Sequence, residues 1–363
     1  MGSRIKAESG RWQRAGSGDV MKLKVVKLKS LLLSVVAGVA IATAALAWGS
    51  AGHRFIGEEA IRALPDYTPA FLRTPEAIAD VGEYANEPDR WRDSGFVHDS
   101  ERNAAHFIDL DDEGKTLAGQ TLAELPRTRA DFEITLNEKG QKIWKSGYLP
   151  YAMVDGYQQV VKDFAYWRVL NLLETRETDK AKKAWYRADR IRRESLIKRD
   201  IGVLAHYVGD TTQPLHMSIH YNGWGEEFPN PNGYTLEKIH VPLENAFVDA
   251  NISAADVRAS MAPYEPCTDG PEKCFAKRMM KSHALVVPLY ELEKAGGFKP
   301  GDPRGRDFMK QQLGQGASDL RDVILDAWRD SKTMAVGWPK ATYDDFVGGK
   351  VADPYLTLHG GAG

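Results

Sequence analysis

Five of the nine histidines in this 363-residue chain lie in segments that also carry an aspartate or a glutamate. In chain order, these segments supply His53, Asp89, His106, His206, Asp210, His216, His240 and Glu244. Imidazole nitrogens and carboxylate oxygens are donors that zinc accepts in proteins. A fold that gathers these side chains must give the buried charges a partner, and a metal ion is one such partner.

The segment AHYVGDTTQPLH gives the strongest local pattern. His206 and Asp210 are four residues apart in a helical run, so their side chains share one face of the predicted helix. Apolar neighbours at 203, 204 and 208 predict that this face is buried. We expect Pro214 to end the helix and His216 to follow in the turn beyond it. An ordinary buried ion pair is the alternative to a metal site.

Three further segments are weaker when each is taken alone. His240 and Glu244 repeat the four-residue spacing, and the proline between them is tolerated if a helix begins near His240. His106 and Asp109 lie in AAHFIDLDDEG, which is too short to classify. Asp89 lies beside two arginines in EPDRWR, so a plain salt bridge is an alternative interpretation.

The N-terminal residues have the pattern of an export leader. Residues 21–47 carry four lysines, then an apolar run, then Ala45-Leu46-Ala47, which fits a small-residue cleavage site. We interpret 1–20 as a non-native or over-long extension, and 21–47 as a signal peptide. Cleavage between Ala47 and Trp48 would leave 48–363 as one exported domain, periplasmic or secreted. A membrane anchor is the alternative, although the run is short for a spanning helix of roughly 20 residues.

Charge and cysteine content constrain the exported part further. The chain has a formal charge of −2, and residues 1–47 contain eight basic and two acidic residues, so −8 falls on the remainder. An acidic protein does not hold long polyanions by a basic surface, so a nucleic-acid substrate would be held by short-range contacts with single strands. Cys267 and Cys274 lie in a Pro- and Gly-containing loop and predict a disulfide after export. Half of a zinc site is the weaker alternative, because the chain has no second cysteine pair.

Hydrophobic spacing predicts a single, mainly α-helical domain, because strand-like alternation is scarce. The segments with helical spacing are 53–64, 150–175, 179–209 and 304–333. A Gly-, Asn- and Pro-rich stretch from Asn222 to Tyr234 predicts a loop between two candidate ligand segments. This position suits contact with a substrate, and an ordinary surface connection is the alternative.

In combination, the motifs resemble the superfamily that joins zinc-dependent bacterial phospholipase C to the single-strand-specific zinc nucleases. The resemblance covers most of residues 48–250. The motifs that carry it are W-G-x-x-G-H at Trp48, D-x-x-R at Asp89, H-F-I-D at His106, H-x-x-x-D-x-x-Q-P-L-H at His206 and H-x-x-x-E at His240. It implies an all-α domain with a cleft that holds three zinc ions.

The resemblance also implies a ligand set for each zinc ion. The first set would be Asp89, His106, His206 and Asp210. The second would be His53, Asp210 and the backbone carbonyl and α-amino groups of Trp48. Only leader cleavage sets that amino group free. The third would be His216, His240 and Glu244. A water or hydroxide bridging the first two ions would attack a phosphodiester, with Asp210 as bridging ligand and Asp89 as a candidate to orient or deprotonate the water.

Two features favour the nuclease branch. Trp48 and His53 have the nuclease-like spacing, and H-F-I-D resembles the nuclease segment in which Phe stacks on a nucleobase and Asp hydrogen-bonds its edge. This implies base-binding roles for Phe107 and Asp109, with Asn222 a further candidate in the loop. A plain core role for Phe107 is the alternative. We therefore expect hydrolysis of single-stranded DNA or RNA to 5′-nucleotides, by a monomer with no stable protein partner.

One feature favours the phospholipase branch. HVPLENAFVD resembles the phospholipase C segment, since the nucleases usually have Asp where this chain has Glu244. Phosphatidylcholine-type head groups are therefore the alternative substrate. A zinc-binding protein without turnover and a helical structural protein with chance histidines are the two non-enzymatic alternatives.

Overall fold

The computed structural model describes residues 48–360, and this range is mainly helical, as the sequence predicts. It contains no β-strand within that range, apart from isolated bridges such as Ile108 with Gly147. The predicted extension (1–20) and signal peptide (21–47), together with residues 361–363, lie outside the described residues.

Sixteen α-helical segments are described, and two of them, α9 and α10, belong to one continuous irregular helix. They are α1 Gly49–Arg62, α2 Pro75–Tyr84, α3 Glu87–Arg90, α4 Phe96–Arg102, α5 Arg129–Glu138, α6 Ile143–Ser146, α7 Leu149–Arg176, α8 Lys180–Asp210, α9 His240–Pro242, α10 Val248–Asn251, α11 Ala254–Ala259, α12 Pro271–His283, α13 Val286–Lys294, α14 Pro303–Asp330, α15 Tyr343–Val347 and α16 Pro354–His359. Four 3₁₀ turns lie at Ala70–Arg73, Asn103–His106, Leu122–Glu124 and Pro214–Met217. A π-helical turn, Leu243–Phe247, joins α9 to α10.

The four long predicted helices correspond to α1, α7, α8 and α14, with ends that differ by a few residues. Side-chain caps fix two of the starts, because the first N–H groups of a helix need external acceptors. The Asp179 carboxylate accepts from the N–H groups of Ala181 and Lys182 at the start of α8. The Asp302 carboxylate does the same for Arg304 in α14.

The end of α8 is consistent with the prediction that Pro214 terminates it. The helix ends at Asp210, whose carbonyl lies four residues before Pro214 and would need the N–H that proline lacks, and Pro214 begins the 3₁₀ turn that carries His216. Two threonine hydroxyls bond to carbonyls of the last helical turn: Thr211 donates to the carbonyl of Val208 and Thr212 to that of Gly209. Such side-chain bonds satisfy the last carbonyls of a helix that would otherwise lack partners.

The core forms where the four long helices meet. Helices α7 and α8 pack along each other, α14 packs on both of them, and α1 packs on α8 and α14. Ile56 of α1, Leu204 of α8 and Leu320 of α14 are all fully buried. Each such side chain contributes roughly 1.5–3 kcal/mol by leaving water, so the four helices hold their ends in fixed positions. The C-terminal end of α8 therefore lies at a rigid point of the fold.

The predicted disulfide between Cys267 and Cys274 is confirmed. The N–H of Cys267 donates to the Asp326 carboxylate, which attaches the loop to α14. A second, smaller core forms beside this region, where Val336 and Phe346 pack against α7. Within residues 48–360, no helix combines the length and the apolar character that a membrane span requires.

Candidate metal centre

The C-terminal turn of α8 supplies the centre of the site. His206 and Asp210 are fully buried on one face, as their spacing predicts. His206 Nε2 lies 3.5 Å from Asp210 Oδ2. The neighbouring helix α1 adds His53, whose Nε2 lies 3.7 Å from Asp210 Oδ1, and the His53 and His206 rings stack with centroids 3.8 Å apart.

His106 and Asp89 complete the first group around Asp210. His106 Nδ1 lies 3.4 Å from Asp210 Oδ2 and 2.8 Å from His206 Nε2. Asp89 Oδ1 lies 3.9 Å from the nearest ring nitrogen of each of these two histidines. Arg92 also pairs with Asp89 at 2.9 Å, so the salt bridge exists alongside the cluster and does not replace it.

His216, His240 and Glu244 form the neighbouring group. Glu244 Oε1 lies 2.7 Å from His240 Nε2 and 3.4 Å from His216 Nε2. His216 Nδ1 lies 3.6 Å from Asp210 Oδ1, which joins this group to the first. Glu244 lies in the π-helical turn that follows α9, and such turns occur often at functional sites.

The structure thus gathers all eight predicted side-chain ligands. Three groups have donor atoms within 4.8 Å of one another and could hold a metal ion: His53 with Asp89 and His206, His106 with His206 and Asp210, and His216 with His240 and Glu244. The third group matches a predicted set in full. The first two divide the remaining residues differently from the prediction, although His53 also approaches Asp210.

Backbone carbonyls orient two of the histidines. His206 Nδ1 donates to the carbonyl of Ala85 at 2.7 Å, and His216 Nδ1 donates to that of His106 at 2.5 Å. Each bond leaves Nε2 with its lone pair toward the cluster. Metal-binding histidines commonly have such partners on the other ring nitrogen.

Burial dominates the electrostatics of the cluster. It raises the pKa of Asp210 well above its usual range, and the charges of Asp89 and Glu244 add to this effect. It also raises the pKa of Asp89 to about 7, although Arg92 opposes the shift. Burial favours the neutral forms of His106 and His206 and lowers their pKa. Neutral imidazole is the form that binds a metal.

The contributions to the pKa of Glu244 have a different balance from those at Asp210. Burial alone would raise its pKa, but His240 and His216 outweigh that contribution and hold the pKa at about 2. The carboxylate is therefore the preferred form of Glu244 even in a buried position. A carboxylate between two imidazoles is a donor set that suits a divalent metal ion.

Several polar atoms of the cluster lack a hydrogen-bond partner among the described residues. They are both carboxylate oxygens of Asp210, Oε2 of Glu244 and Nε2 of His216. Unsatisfied buried acceptors cost free energy, and most buried polar groups in proteins are satisfied. These atoms point to a ligand that accepts lone pairs, and a metal ion fits both their chemistry and their positions.

The N-terminal end of α1 is packed tightly against the cluster. The Trp48 ring is fully buried, and its Nε1 donates to the carbonyl of Gly209 at 2.7 Å. Gly49 has φ +44°, and a Cβ there would lie 2.8 Å from the backbone oxygen of Glu244. A Cβ on Gly209 would lie 3.0 Å from His53 Nδ1, so a larger residue there would force His53 to shift. The ligand role predicted for the backbone of Trp48 stays a prediction.

A cavity of about 490 Å³ opens beside the cluster. His106, His216 and His240 lie in its wall together with the predicted substrate residues Phe107 and Asp109. Phe107 is half-buried and also packs on the core, and base stacking by this residue stays a prediction. Burial raises the pKa of Asp109 well above its usual range.

Asn222 has a structural contact. Its side-chain oxygen accepts from the backbone N–H of His240 at 3.2 Å, which holds the start of α9. The predicted loop does reach the cavity, because its residue Glu227 lines the cavity wall. Tyr221, directly before the loop in sequence, lines the wall as well. Substrate contact by Asn222 itself stays a prediction.

The cavity wall also contains residues that the sequence did not single out, and four of them can contact a substrate by charge or by an aromatic ring. Trp144, Lys145, Tyr221 and Arg92 all line the cavity, and Trp144 is 58% exposed. Trp144 and Lys145 are adjacent in the sequence. A large aromatic residue beside a cation in a polar segment is a pattern that could have indicated a substrate-contacting surface. Comparison with known proteins adds no assignment, because no family model and no curated protein matches this chain.

Proposed function

We propose that this protein is an exported zinc-dependent phosphodiesterase that hydrolyses single-stranded DNA or RNA to 5′-nucleotides. The observation that carries the proposal is the buried cluster around Asp210, with its unsatisfied carboxylate oxygens and correctly oriented imidazoles. Zinc accepts these donors, and when bound it supplies an activated water and stabilises negative charge on phosphate oxygens. Leader cleavage between Ala47 and Trp48 is part of the proposal.

The chain's own residues would bind the zinc ions and the phosphodiester. Asp210, central among four imidazoles, would bridge two of the ions that the resemblance implies. Asp89, held by Arg92, would orient the attacking water. Arg92 and Lys145 add positive charge to the cavity wall where a phosphate would lie.

Aromatic side chains favour a nucleic-acid substrate over other phosphodiesters. Phe107, Trp144 and Tyr221 line the same cavity as the histidines. Nucleobases stack on such rings at roughly 1–3 kcal/mol per base without requiring a basic groove. This mode of binding agrees with the formal charge of −8 on the exported part.

Phospholipase C activity is the second candidate. It is favoured by Glu244, which lies against both His216 and His240 and belongs to the segment with phospholipase-like sequence. The exposed rings of Trp144 and Tyr221 at the cavity could also contact a lipid surface.

The deciding experiment uses protein processed to begin at Trp48, with its zinc content measured in the same sample. One reaction contains a single-stranded oligonucleotide and the other contains phosphatidylcholine vesicles. We expect about three zinc ions per chain and 5′-nucleotide release. Diacylglycerol release without nucleotide release would favour the phospholipase, and bound zinc without either product would favour a zinc-binding protein.

A further inference from the structure

A second cavity, of about 760 Å³, lies on the other side of the Asn103–His106 turn. Asn103 and His106 of this turn line the first cavity, whereas Arg102 and Ala105 line the second. The ring of Tyr207 in its wall lies 5.7 Å from the rings of both His106 and His206. The second cavity therefore begins directly beside the metal cluster.

Four arginines line one part of this second cavity: Arg102, Arg127, Arg129 and Arg199. Arg129 pairs with Glu101 at 2.5 Å, and Arg199 pairs with Asp200 at 2.7 Å. Among the described residues, Arg102 and Arg127 form no ion pair. Two full positive charges thus lie in one cavity wall of an acidic protein.

Aromatic rings hold three of these guanidinium groups. Arg102 and Arg199 lie over Trp91, at 5.0 and 5.8 Å from its centroid, and Arg129 lies over Tyr148 at 4.8 Å. A ring fixes the position of a guanidinium group without neutralising its charge, unlike a carboxylate. The N–H groups of Arg102 therefore stay available for an anion, and guanidinium suits phosphate geometry.

Another part of the wall has different chemistry. The exposed face of α7 contributes Asp155, Gln158 and Gln159, which offer carboxylate and amide groups. Such groups hydrogen-bond the amino and carbonyl edges of nucleobases. Asp155 is negative and the two glutamines are neutral, so this part of the wall does not attract phosphate groups.

We infer that this second cavity binds a single-stranded stretch of the nucleic acid whose neighbouring phosphodiester lies at the metal cluster. Arg102 and Arg127 bind its phosphates, and the α7 wall contacts its base edges. The inference deepens the proposed nuclease function and rests on it for the identity of the ligand. It explains how a chain of net negative charge holds a substrate beyond the cleaved bond.

The test measures binding separately from cleavage. The wild-type protein, processed and zinc-loaded, is titrated against a fluorescent phosphorothioate single strand of about 12 nucleotides. The variant Arg102→Gln/Arg127→Gln should bind about tenfold more weakly. Its slope of log Kd against log salt should fall by about 1.4, from about 0.7 for each of two lost phosphate contacts. Arg102→Lys/Arg127→Lys should keep most of the salt slope.

The matched control is Arg187→Gln/Lys350→Gln, which removes two charges at side chains that are 70% and 73% exposed and lie outside the cavity. It should bind like the wild type. Melting temperatures of all variants verify that each is folded. Hydrolysis of the small diester bis(p-nitrophenyl) phosphate by Arg187→Gln/Lys350→Gln should equal that of the wild type, which verifies that the control variant keeps an intact catalytic centre.

Several outcomes would overturn the inference: equal losses in the control and the cavity variant, no oligonucleotide binding by the wild type, or Arg102-dependent binding to anionic vesicles instead. The nuclease proposal fails separately. If the wild type binds the strand through Arg102 and Arg127 but cleaves no nucleic acid, the cavity assignment stands and the activity does not. If the wild type cleaves single strands with no dependence on these arginines, the nuclease activity stands and the cavity assignment does not.

Discussion

The indole N–H of Trp48 donates to the carbonyl of Gly209, the residue directly before Asp210. This bond joins the start of α1 to the end of α8 at the metal cluster. Because the Trp48 ring is fully buried, it fixes the position of the adjacent backbone relative to Asp210. The first residue after the proposed cleavage site is thus a structural part of the centre.

An N-terminal extension should remove one metal ion. Protein that begins with one extra alanine before Trp48 lacks a free amino group at that residue. We expect about two zinc ions per chain where the protein beginning at Trp48 holds about three, with a far lower rate of hydrolysis. Metal analysis of the two forms measures the difference. Equal zinc content would show that the Trp48 backbone is not a ligand.

Under the proposed function, Asp210→Asn should remove two of the three proposed zinc ions. The substitution keeps the shape of the side chain but removes the charge that lies within 3.4–3.7 Å of four imidazoles. Activity should fall by at least about 10³-fold, because the activated water depends on both ions. Asp256→Asn, at a carboxylate outside the cluster, serves as control. Full zinc content in Asp210→Asn would contradict the bridging role.

Chelation should destabilise the fold. Metal that binds the folded protein alone adds about 4 kcal/mol per site at a thousandfold excess over Kd. Removal also leaves the Asp210 carboxyl group buried without a metal ion, and burial raises its pKa so that it takes up a proton. We expect the melting temperature to fall by more than about 10 °C with a chelator and to return when zinc is added. A melting temperature insensitive to chelation would favour the non-metal alternatives.

The proposed base stacking by Phe107 can be tested separately from its packing on the core. Phe107→Ala should raise KM for single strands several-fold and cost roughly 1–3 kcal/mol of stability, since the ring is half-buried. Phe107→Leu should retain most of the packing but not the stacking. Zinc content should stay at the wild-type value in both. A wild-type KM for Phe107→Leu would show that Phe107 serves core packing and not base stacking.

Asp200 should make stability depend on pH. Burial, together with the neighbouring Asp163, raises the pKa of Asp200 from 3.8 to about 6. In the window between these values the folded state keeps a proton that the unfolded chain releases. Stability therefore falls as pH rises through the window and stays reduced above it.

Asp200→Asn should remove this loss. We expect its melting temperature to exceed that of the wild type at pH 7.5 and to match it near pH 4. Asp155→Asn, an exposed neighbour on α7, should show no such difference. A lower melting temperature for Asp200→Asn at pH 7.5 would mean that the pair with Arg199 outweighs the burial cost.

The sequence predicts the parts of this structure that depend on local periodicity. The four-residue spacing of His206 and Asp210 places both on one buried face, and the disulfide follows from two cysteines in one loop. Pro214 likewise predicts the end of α8, whereas the threonine hydroxyls that bond to its last carbonyls were not predicted. The carbonyls that orient His206 and His216 have no sequence signal, since every residue carries one. The second cavity was missed because its arginines come from three separate segments: the end of α4, the start of α5 and the middle of α8.

The dependence of the centre on α14 has a consequence for biosynthesis. The candidate ligands end at Glu244, but the helices that carry them pack against Pro303–Asp330. A growing chain that already contains every ligand thus still lacks the helix that completes the core. Under the proposed function, the polypeptide would acquire nucleolytic capacity only after its last long helix has left the ribosome and the leader has been removed. The cell's own transcripts would then never meet the finished enzyme during translation.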